Sequence, residues 1–459
     1  MTVELTNKLE SIDQSIVELA SCPGLFCPTI VVDGILTRIR TPGGIVSNIQ
    51  LSVLAQVMER SGCSQLLITN RANVQLRSVE NLTEFDLNDL QNSGLAAKNP
   101  DVDHLRNVMI SPMAGLESGA FDVVPALREI ERYICDTPKL SALSAKFSIG
   151  IDGGELVSVR DRANDVWLVA ENAGYRLFLG DERSDIVSDD VVGLVSAVAD
   201  RYLEYADQVV NRSVKHRRSR KPRLRDVIEC IGKERFLDGL VGFEILENKE
   251  SWDTASHVPT LDELGKTELL HSQADPDRIA LEIVCPLGKL TIEQINGLIA
   301  VLEWFDLGEI RLTPWQTLII PNVLRSSLNS IKTALAKIPL NPNANHPARG
   351  VVACSGKSGC ASAATHAQEH AQQLISQLAK YPDRSFPSIH VSGCEKLCAQ
   401  PKSKDTTNNI VLVGCEVDGT ERYNLEKYGL QYGLLCPDDA IDQIITSLNS
   451  KITDNEYTY

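Results

Sequence analysis

The chain has 459 residues, of which 43% are hydrophobic and 23% are charged, and its formal net charge is −16. This length predicts about three domains with well-developed cores. The acidic balance argues against nucleic acid or an anionic membrane as the main partner, because both would be repelled.

The N-terminal segment, residues 1–20, is polar and has the rhythm of an amphipathic helix. It lacks the basic start and the apolar centre of a secretory signal. The longest apolar run, at residues 299–304, is too short to span a bilayer. We therefore expect a cytoplasmic protein that has no membrane partner.

Two segments, residues 35–76 and 279–320, match without gaps at an offset of 244 residues. Each reads as a strand, a turn with Pro and Gly, a Ser or Thr N-cap, an amphipathic helix and a short closing strand. Equivalent pairs are Gly44 with Gly288 and Ser47 with Thr291. The unit is a predicted βαβ crossover, and its duplication predicts a pseudo-two-fold axis with room for one ligand between the halves. Chance similarity of two unrelated units is the alternative.

A further region follows each repeat. The first has predicted strands at 146–152 and 166–174 and a helix at 189–206; the second has a strand at 408–414 and a closing helix from Asp438. Between the halves lies a basic run, residues 211–227. We interpret it as a solvated linker that enters a helix, with docking of an acidic partner as the alternative.

Four of the twelve cysteines are concentrated in one stretch, as Cys354-x5-Cys360 and Cys394-x3-Cys398. Thiolates are the ligands that iron–sulfur clusters need, so the spacing favours a [4Fe-4S] cluster. We expect Cys394 and Cys398 to lie on one helical turn. Structural zinc is the competing metal, but its ligand pairs usually have two to four intervening residues. Four buried thiols are the remaining alternative.

Three other patterns in the chain carry less weight. Gly356-Lys357-Ser358 resembles the end of a P-loop but has Val351 where that motif needs Gly. His366 and His370 fit an H-x-x-E-H zinc pattern without a further ligand, so an exposed helix face is the preferred interpretation. No G-x-G-x-x-G follows a strand, so electrons must come from outside the chain.

These features together resemble the sirohaem nitrite/sulfite reductase superfamily and, within it, the precorrin-3B synthases. The resemblance rests on the duplicated repeat, on the x5 and x3 cysteine spacings and on the opening segment CPGLFCPTIVVDGILTRIRTPGG. It implies an α+β fold with duplicated ferredoxin-like half-domains, two sulfite-reductase-type α/β domains and pseudo-two-fold symmetry. We divide the chain into an N-terminal helix with the first repeat (1–90), a cluster-free reductase-like domain with the linker (91–245), the second repeat (246–340) and the cluster-binding domain (341–459).

The resemblance also implies a cationic set that binds anions. It places Arg71, Arg106 and Lys146 at family positions, and we add Arg77 as a further substrate-binding candidate. The reductases carry a second Lys where this chain has Ser148. Such cations would bind the carboxylates of a tetrapyrrole through charge-assisted hydrogen bonds.

The missing lysine favours the precorrin branch. The segment LTPWQTLII also resembles that branch's second-repeat ending, although Gln316 stands where we expect Arg. That branch implies an O2-dependent hydroxylation of precorrin-3A at C20 with closure of a γ-lactone, in aerobic cobalamin synthesis. Its electrons would come from NADH through a separate donor, and a mononuclear non-haem iron would accompany the cluster. A sirohaem-dependent nitrite or sulfite reductase is the alternative, and a non-enzymatic electron carrier is the third hypothesis. The residues that activate oxygen are not identifiable from the sequence.

Overall fold

A computed structural model gives the structure of residues 24–172, 174–212, 221–240, 242–245, 270–338, 340, 343, 346–381, 386–399 and 409–455. The predicted N-terminal helix lies outside these residues, as do residues 213–220 of the basic run. None of the described helices is both long enough and apolar enough to cross a bilayer.

The first half of the chain contains one repeat and the region that follows it. The repeat comprises β1 (Thr29–Val31), β2 (Gly34–Ile39), β3 (Ile45–Ser47), α1 (Asn48–Arg60), β4 (Gln65–Ile68), β5 (Val74–Val79) and α2 (Glu84–Asn92). The region after it comprises β6 (Val108–Met109), α3 (Val124–Asp136), β7 (Ile149–Asp152), β8 (Val166–Glu171), β9 (Gly174–Leu179), β10 (Glu182–Ser188), α4 (Val191–Arg212), α5 (Leu224–Ile231), α6 (Lys233–Asp238) and β11 (Glu244–Ile245).

The second half repeats this order. Its repeat comprises β12 (Leu270–Ser272), β13 (Arg278–Val284), β14 (Lys289–Thr291), α7 (Ile292–Trp304), β15 (Glu309–Leu312), β16 (Thr317–Leu324) and α8 (Leu328–Leu335). The last region comprises β17 (Val351–Ala353), α9 (Ala367–Leu378), β18 (Ile389–Ser392), β19 (Ile410–Val417), β20 (Thr420–Lys427), β21 (Leu430–Leu435) and α10 (Pro437–Asn455).

The helices α1 and α7 begin as the sequence predicts. Ser47 accepts a hydrogen bond from the backbone of Gln50, whose side chain in turn accepts from the Ser47 amide. Thr291 and Gln294 form the same capping box at the start of α7. Each box satisfies two backbone amides that a helix start leaves free, which fixes the same starting point in both copies.

The two repeats exchange a short strand. The sheet orders are β1-β2-β5-β4-β14 and β12-β13-β16-β15-β3, so each sheet takes its last strand from the other repeat. Ser47 pairs with Glu309, and Thr291 pairs with Gln65, which is the same register shifted by the repeat offset. The predicted pseudo-two-fold symmetry is therefore present in the hydrogen bonding itself.

The predicted βαβ crossover needs a correction. β2 and β4 both pair antiparallel with β5, so they are parallel to each other but are not neighbours. β5 lies between β2 and β4 in this sheet. The sequence match between the repeats did not indicate this central position. Both sheets and the helices α1 and α7 share one core that includes Leu54 and Leu298, both fully buried.

The two flanking sheets have the same topology. In the first, β6, β7 and β8 are parallel and β9 and β10 follow antiparallel; in the second, β17, β18 and β19 are parallel and β20 and β21 follow antiparallel. The predicted fold class is thereby confirmed: duplicated ferredoxin-like half-domains and two sulfite-reductase-type α/β domains. Carboxyl ends of parallel strands meet at one edge of each sheet, where ligands of open α/β sheets usually bind.

Candidate functional site

The four clustered cysteines lie at the carboxyl ends of two neighbouring parallel strands. Cys354 directly follows β17, and its amide donates to the carbonyl of Val391 in β18 (3.0 Å). Cys394 comes two residues after β18 ends, and Cys360 and Cys398 complete the two loops. Parallel pairing therefore brings together two cysteine pairs that are far apart in sequence.

The thiols share one electrostatic environment. Burial raises the pKa of Cys398, and the neighbouring thiols of Cys354, Cys394 and Cys360 raise it further. Burial also raises the pKa of Cys354, while backbone amides of the loop lower it. One such amide, that of Gly393, donates to the Cys354 sulfur at 3.0 Å. Such amides stabilise thiolates and the sulfurs of a bound cluster.

The loop that carries Cys394 and Cys398 is not helical, so the expectation of one helical turn is wrong. The segment is a series of turns, and Leu397 has a left-handed φ of 51°. A left-handed residue interrupts an α-helix. The chain curls instead, which brings together two thiols that are separated by three residues.

The donor set fits a polynuclear cluster rather than a single ion. Among the described residues, no three Cys, His, Asp or Glu side chains are grouped tightly enough to hold one metal ion. A four-iron cluster keeps its ligands further apart than one zinc ion does, and its ligands are the four thiolates found here. The interacting thiols and the amide aimed at Cys354 agree with such a cluster.

The H-x-x-E-H histidines face an acidic residue that the sequence does not reveal. His366 Nε2 lies 3.5 Å and His370 Nε2 lies 3.9 Å from the carboxylate of Glu421, and His370 Nδ1 lies 2.9 Å from the hydroxyl of Tyr423. His370 and Tyr423 share a hydrogen bond, and burial lowers the pKa of His370, which disfavours a charged pair with Glu421. These groups do not form a metal site within the described part of the chain.

Arg71 is the centre of a cluster of guanidinium groups. It donates to the carbonyl of Ala163 (2.8 Å) and to the side-chain oxygen of Asn164. Burial lowers the pKa of Arg71 to about 10. The charge of Asp165 opposes this shift, and the charges of three further arginines add to it. These are Arg40, Arg223 and Arg162. We call these four arginines the arginine cluster.

Such a concentration of positive charge is costly without a counter-ion, because like charges repel strongly at low dielectric. The Nε atoms of Arg71 and Arg223 are buried and have no hydrogen-bond partner among the described residues. Asp165 is the acid that opposes the lowering of the Arg71 pKa, and it pairs with Arg223 at 3.2 Å. Asp161 also pairs with Arg162 at 3.3 Å. The unpartnered Nε donors of Arg71 and Arg223 make the cluster suited to a polyanion.

His390 interacts both with the charge of Arg162 and with a cysteine loop. Burial lowers the pKa of His390 to about 4, and the charge of Arg162 adds to the effect. The Nδ1 atom of His390 donates to the carbonyl of Ala399, next to Cys398 (3.2 Å). His390 is therefore hydrogen-bonded to the loop of Cys398 and lies within the electrostatic range of Arg162.

The other three predicted anion-binding residues are placed differently. Arg106 is buried and donates to Asp103, to Glu131 (2.7 Å) and to the carbonyl of Gly94. These donors bind groups of the protein interior. Arg77 contacts the first cysteine loop. Lys146 is exposed, and within the described residues its ammonium group has no hydrogen-bond or ion-pair partner.

The site contains residues that the sequence analysis missed. Arg223 lies at the end of the basic run, which was interpreted as a solvated linker. Arg40 and Arg162 belong to no sequence motif. Ser148, at the position where a lysine was expected, is buried and donates a hydrogen bond to Asp165. The excess of arginines in and beside the first repeat was the available signal.

Comparison with known families assigns most of the residues that the structure describes. Residues 32–89 and 271–338 match the nitrite/sulfite reductase ferredoxin-like half domain. Residues 101–244 match the nitrite and sulphite reductase 4Fe-4S domain. The four clustered cysteines lie outside this second match, in the topologically equivalent sheet of the other half.

Characterised relatives cover most of the chain. A ferredoxin–nitrite reductase of Synechococcus elongatus is 26% identical over 414 residues, which cover 86% of this chain and 79% of the relative. One from Leptolyngbya laminosa is 26% identical, with 90% and 86% covered. A sulfite reductase [ferredoxin] 2 of Mycolicibacterium paratuberculosis is 25% identical, with 87% and 73% covered. The solved NirA protein of Mycobacterium tuberculosis has a similar fold, with a TM-score of 0.71 at 20% identity over 89% of this chain and 79% of that protein.

Proposed function

Because this chain belongs to the nitrite and sulfite reductase superfamily, we propose that it is a sirohaem-dependent reductase of nitrite or sulfite that receives electrons from an external one-electron donor. The observation that carries the proposal is the presence of two sites: four interacting thiols, and the arginine cluster with its unpartnered donors. His390 is hydrogen-bonded to the residue next to Cys398 and lies within the electrostatic range of Arg162. The relatives that cover most of the chain are reductases of this kind.

The cysteines Cys354, Cys360, Cys394 and Cys398 would hold a [4Fe-4S] cluster. When bound, that cluster supplies single electrons, and sirohaem supplies the iron at which the small anion is reduced. The chain's own task is to hold both groups close together and to select anions. The curled loop after β18 leaves Cys398 exposed, and His390 of β18 is hydrogen-bonded to the residue that follows it.

The arginine cluster would bind the carboxylates of the tetrapyrrole. Guanidinium groups match carboxylates in pairs of hydrogen bonds, and the unused Nε donors of Arg71 and Arg223 are available for such bonds. Lys146 is exposed beside Arg223, whose side chain donates to the Lys146 carbonyl (3.4 Å). It would supply a mobile positive charge for the incoming anion. The local field would outweigh the net charge of −16, which salt screens beyond roughly 8–10 Å.

A second candidate, oxidation of a precorrin, is favoured by one specific position. Ser148 stands where the reductases carry a lysine, and it is turned into the interior, where it binds Asp165. One cation fewer weakens the capture of a small anion at iron but leaves the carboxylate-binding arginines in place. In this candidate the arginine cluster binds precorrin-3A as substrate, and O2 and a donor fed by NADH are the co-reactants.

The experiment that separates the candidates uses the purified holoprotein. Under the first proposal it shows the absorption bands of bound sirohaem and, with reduced methyl viologen, converts nitrite to ammonia or sulfite to sulfide. A protein that carries a cluster but no sirohaem, and that consumes O2 only when precorrin-3A is present, would overturn the first proposal in favour of the second. Absence of any cluster signal after anaerobic reconstitution would exclude both.

A further inference from the structure

Arg77 links the first repeat to the loop that carries two of the clustered cysteines. It lies in β5, and its side chain is 10% exposed. Its Nη1 atom donates to the hydroxyl of Ser355 (2.7 Å), and its Nη2 atom donates to the carbonyl of Gly359 (2.6 Å). Ser355 is adjacent to Cys354, and Gly359 is adjacent to Cys360. One guanidinium group therefore spans the loop from one cysteine to the other.

The guanidinium group is itself held by Asp33. Nε and Nη2 donate to the two carboxylate oxygens of Asp33 at 2.9 and 2.8 Å, which is the bidentate geometry that orients arginine most firmly. Asp33 lies in the turn between β1 and β2. Four N–H groups of Arg77 are thus engaged, two by the acid and two by the loop.

A β-bulge aims Arg77 at the loop. Between the pairs Ile35–Val79 and Thr37–Leu76, two residues of β5 face one of β2, and Ser78 has a left-handed φ of 54°. Bulges redirect side chains and often accompany functional sites. The left-handed backbone at Ser78 changes the direction of the Arg77 side chain from the one that regular strand alternation would give.

The fold does not require an arginine at this position. The second repeat has the same bulge, between Leu281–Ile320 and Ile279–Val323, with Asn322 at a φ of 62°. The residue equivalent to Arg77 by the offset of 244 residues is Pro321. Only the copy that faces the cysteine loop carries the cation, so its presence is tied to that loop.

The loop is also built to receive Arg77. A side chain at Gly359 would collide with Nη2 of Arg77, so only glycine leaves room for the approach. The contact is a close fit between groups that are 282 residues apart in sequence.

We infer that Arg77, held by Asp33, is a positioning residue that clamps the Cys354–Cys360 loop and biases the reduction potential of the cluster bound there. The inference rests on the proposed cluster. A cluster with four thiolate ligands is anionic and gains one negative charge on reduction, so nearby charges shift its potential. Arg77 and Asp33 nearly cancel as a pair, and removing either one leaves the opposite charge beside the cluster.

The test compares three variants at low ionic strength. Arg77→Gln leaves Asp33 unpaired, so the cluster midpoint, followed by EPR in a redox titration, is expected to fall. Asp33→Asn leaves Arg77 unpaired and is expected to raise it. The double variant is expected to return close to the wild-type value. A role confined to packing would not reverse the sign between the two partners.

The second readout does not depend on the cluster. Amides of residues 354–360 are expected to exchange hydrogen at least tenfold faster in Arg77→Gln than in wild type. The matched control is Arg60→Gln, which removes an arginine paired with Asp86 and Asp89 in the same half of the chain. The control is expected to leave both the midpoint and the exchange of this loop unchanged.

Opposite results would overturn the inference. Midpoints that stay unchanged, or that move in the same direction in Arg77→Gln and Asp33→Asn, would remove the electrostatic role, and unchanged loop exchange would remove the clamp. If Arg77→Gln assembles no cluster, Arg77→Lys keeps the charge and loses the fork, so its midpoint should stay near wild type while loop exchange rises. If wild type itself binds no cluster, the proposed function fails, and the exchange measurement still decides whether Arg77 clamps the loop.

Discussion

Ser148 binds Asp165 through both its amide and its hydroxyl, with distances of 3.1 and 3.0 Å to the same carboxylate oxygen. Both residues are buried, at 3% and 7% exposure. The carboxylate is thereby fixed as the counter-charge of the arginine cluster. A serine at this position holds a negative charge in place, where a lysine would add a positive one.

We expect Asp165→Asn to destabilise the protein that lacks bound tetrapyrrole. The arginine cluster loses its fixed counter-charge, at a cost of about 1–3 kcal/mol, because Arg223 is partly exposed and its charge is screened. A tetrapyrrole such as sirohydrochlorin should recover most of the loss by replacing that charge. Thermal unfolding with and without the ligand measures both effects, and the exposed Asp185→Asn is the control. Equal midpoints for Asp165→Asn and wild type would show that other groups balance the arginines.

We expect Arg71→Lys to weaken tetrapyrrole binding about tenfold to a hundredfold. A lysine keeps the charge but loses the planar pair of donors, and hydrogen bonds to charged groups contribute about 1.5–3 kcal/mol. Titration of the protein with sirohydrochlorin, followed by absorbance, gives the dissociation constant. Arg128→Lys, which changes a surface arginine paired with Glu131, should bind as wild type does. An affinity of Arg71→Lys equal to that of this control would place the carboxylates elsewhere.

We expect Cys394→Ser to lose most of the cluster iron, since a serine oxygen is a poor replacement for a thiolate ligand. Iron and acid-labile sulfide per chain, with EPR after anaerobic reduction, measure the loss. Cys436→Ser is the matched control: the Cys436 sulfur accepts from the Asp439 amide at the start of α10, a position where serine is also a good cap. A full cluster signal in Cys394→Ser would exclude Cys394 as a ligand.

We expect stability to depend on the protonation of Glu155. This buried carboxyl is 4% exposed, and burial, assisted by Asp152 and Glu117, raises its pKa to about 7. The folded state then holds a proton that the unfolded state releases above about pH 4.5. The free energy of unfolding therefore falls between pH 4.5 and 7, by about 3 kcal/mol from this group.

Glu155→Gln removes that dependence, because a neutral amide occupies the same volume. Urea unfolding at pH 5 and pH 8 should show the variant close to wild type at pH 5 and more stable than wild type at pH 8. The control is Glu182→Gln, which changes an exposed acid. The same pH dependence in Glu155→Gln and wild type would contradict the raised pKa of Glu155.

We expect Gly44→Ala to be much more damaging than Gly180→Ala. Both glycines have a left-handed φ, 70° and 62°, which costs an alanine about 1–2 kcal/mol. A side chain at Gly44 would also collide with the carbonyl of Leu312, whereas Gly180 faces open space. Urea midpoints compare the two. An equal loss of stability in the two variants would mean that the backbones at Gly44 and Leu312 can move apart at little cost in free energy.

The parts of this molecule that repeat locally could be predicted from the sequence. The capping boxes at Ser47 and Thr291 follow from residues three positions apart, and the cysteine spacings follow from two short loops. The arginine cluster could not be predicted in the same way. Its members come from three loops and a helix start, and long-range packing alone brings Arg40, Arg162 and Arg223 to Arg71. The curl at Leu397 was also missed, because an x3 spacing is equally compatible with a helical turn.

The exchange of β3 and β14 makes the chain a domain-swapped dimer contained in one polypeptide. A single repeat would have an open sheet edge beside β4 or β15 and a short strand without a partner, and such edges promote association. Either repeat produced alone should therefore pair with a second copy or aggregate. Within one chain the two copies need not be identical, so one half can carry the arginine cluster while the other carries the thiols.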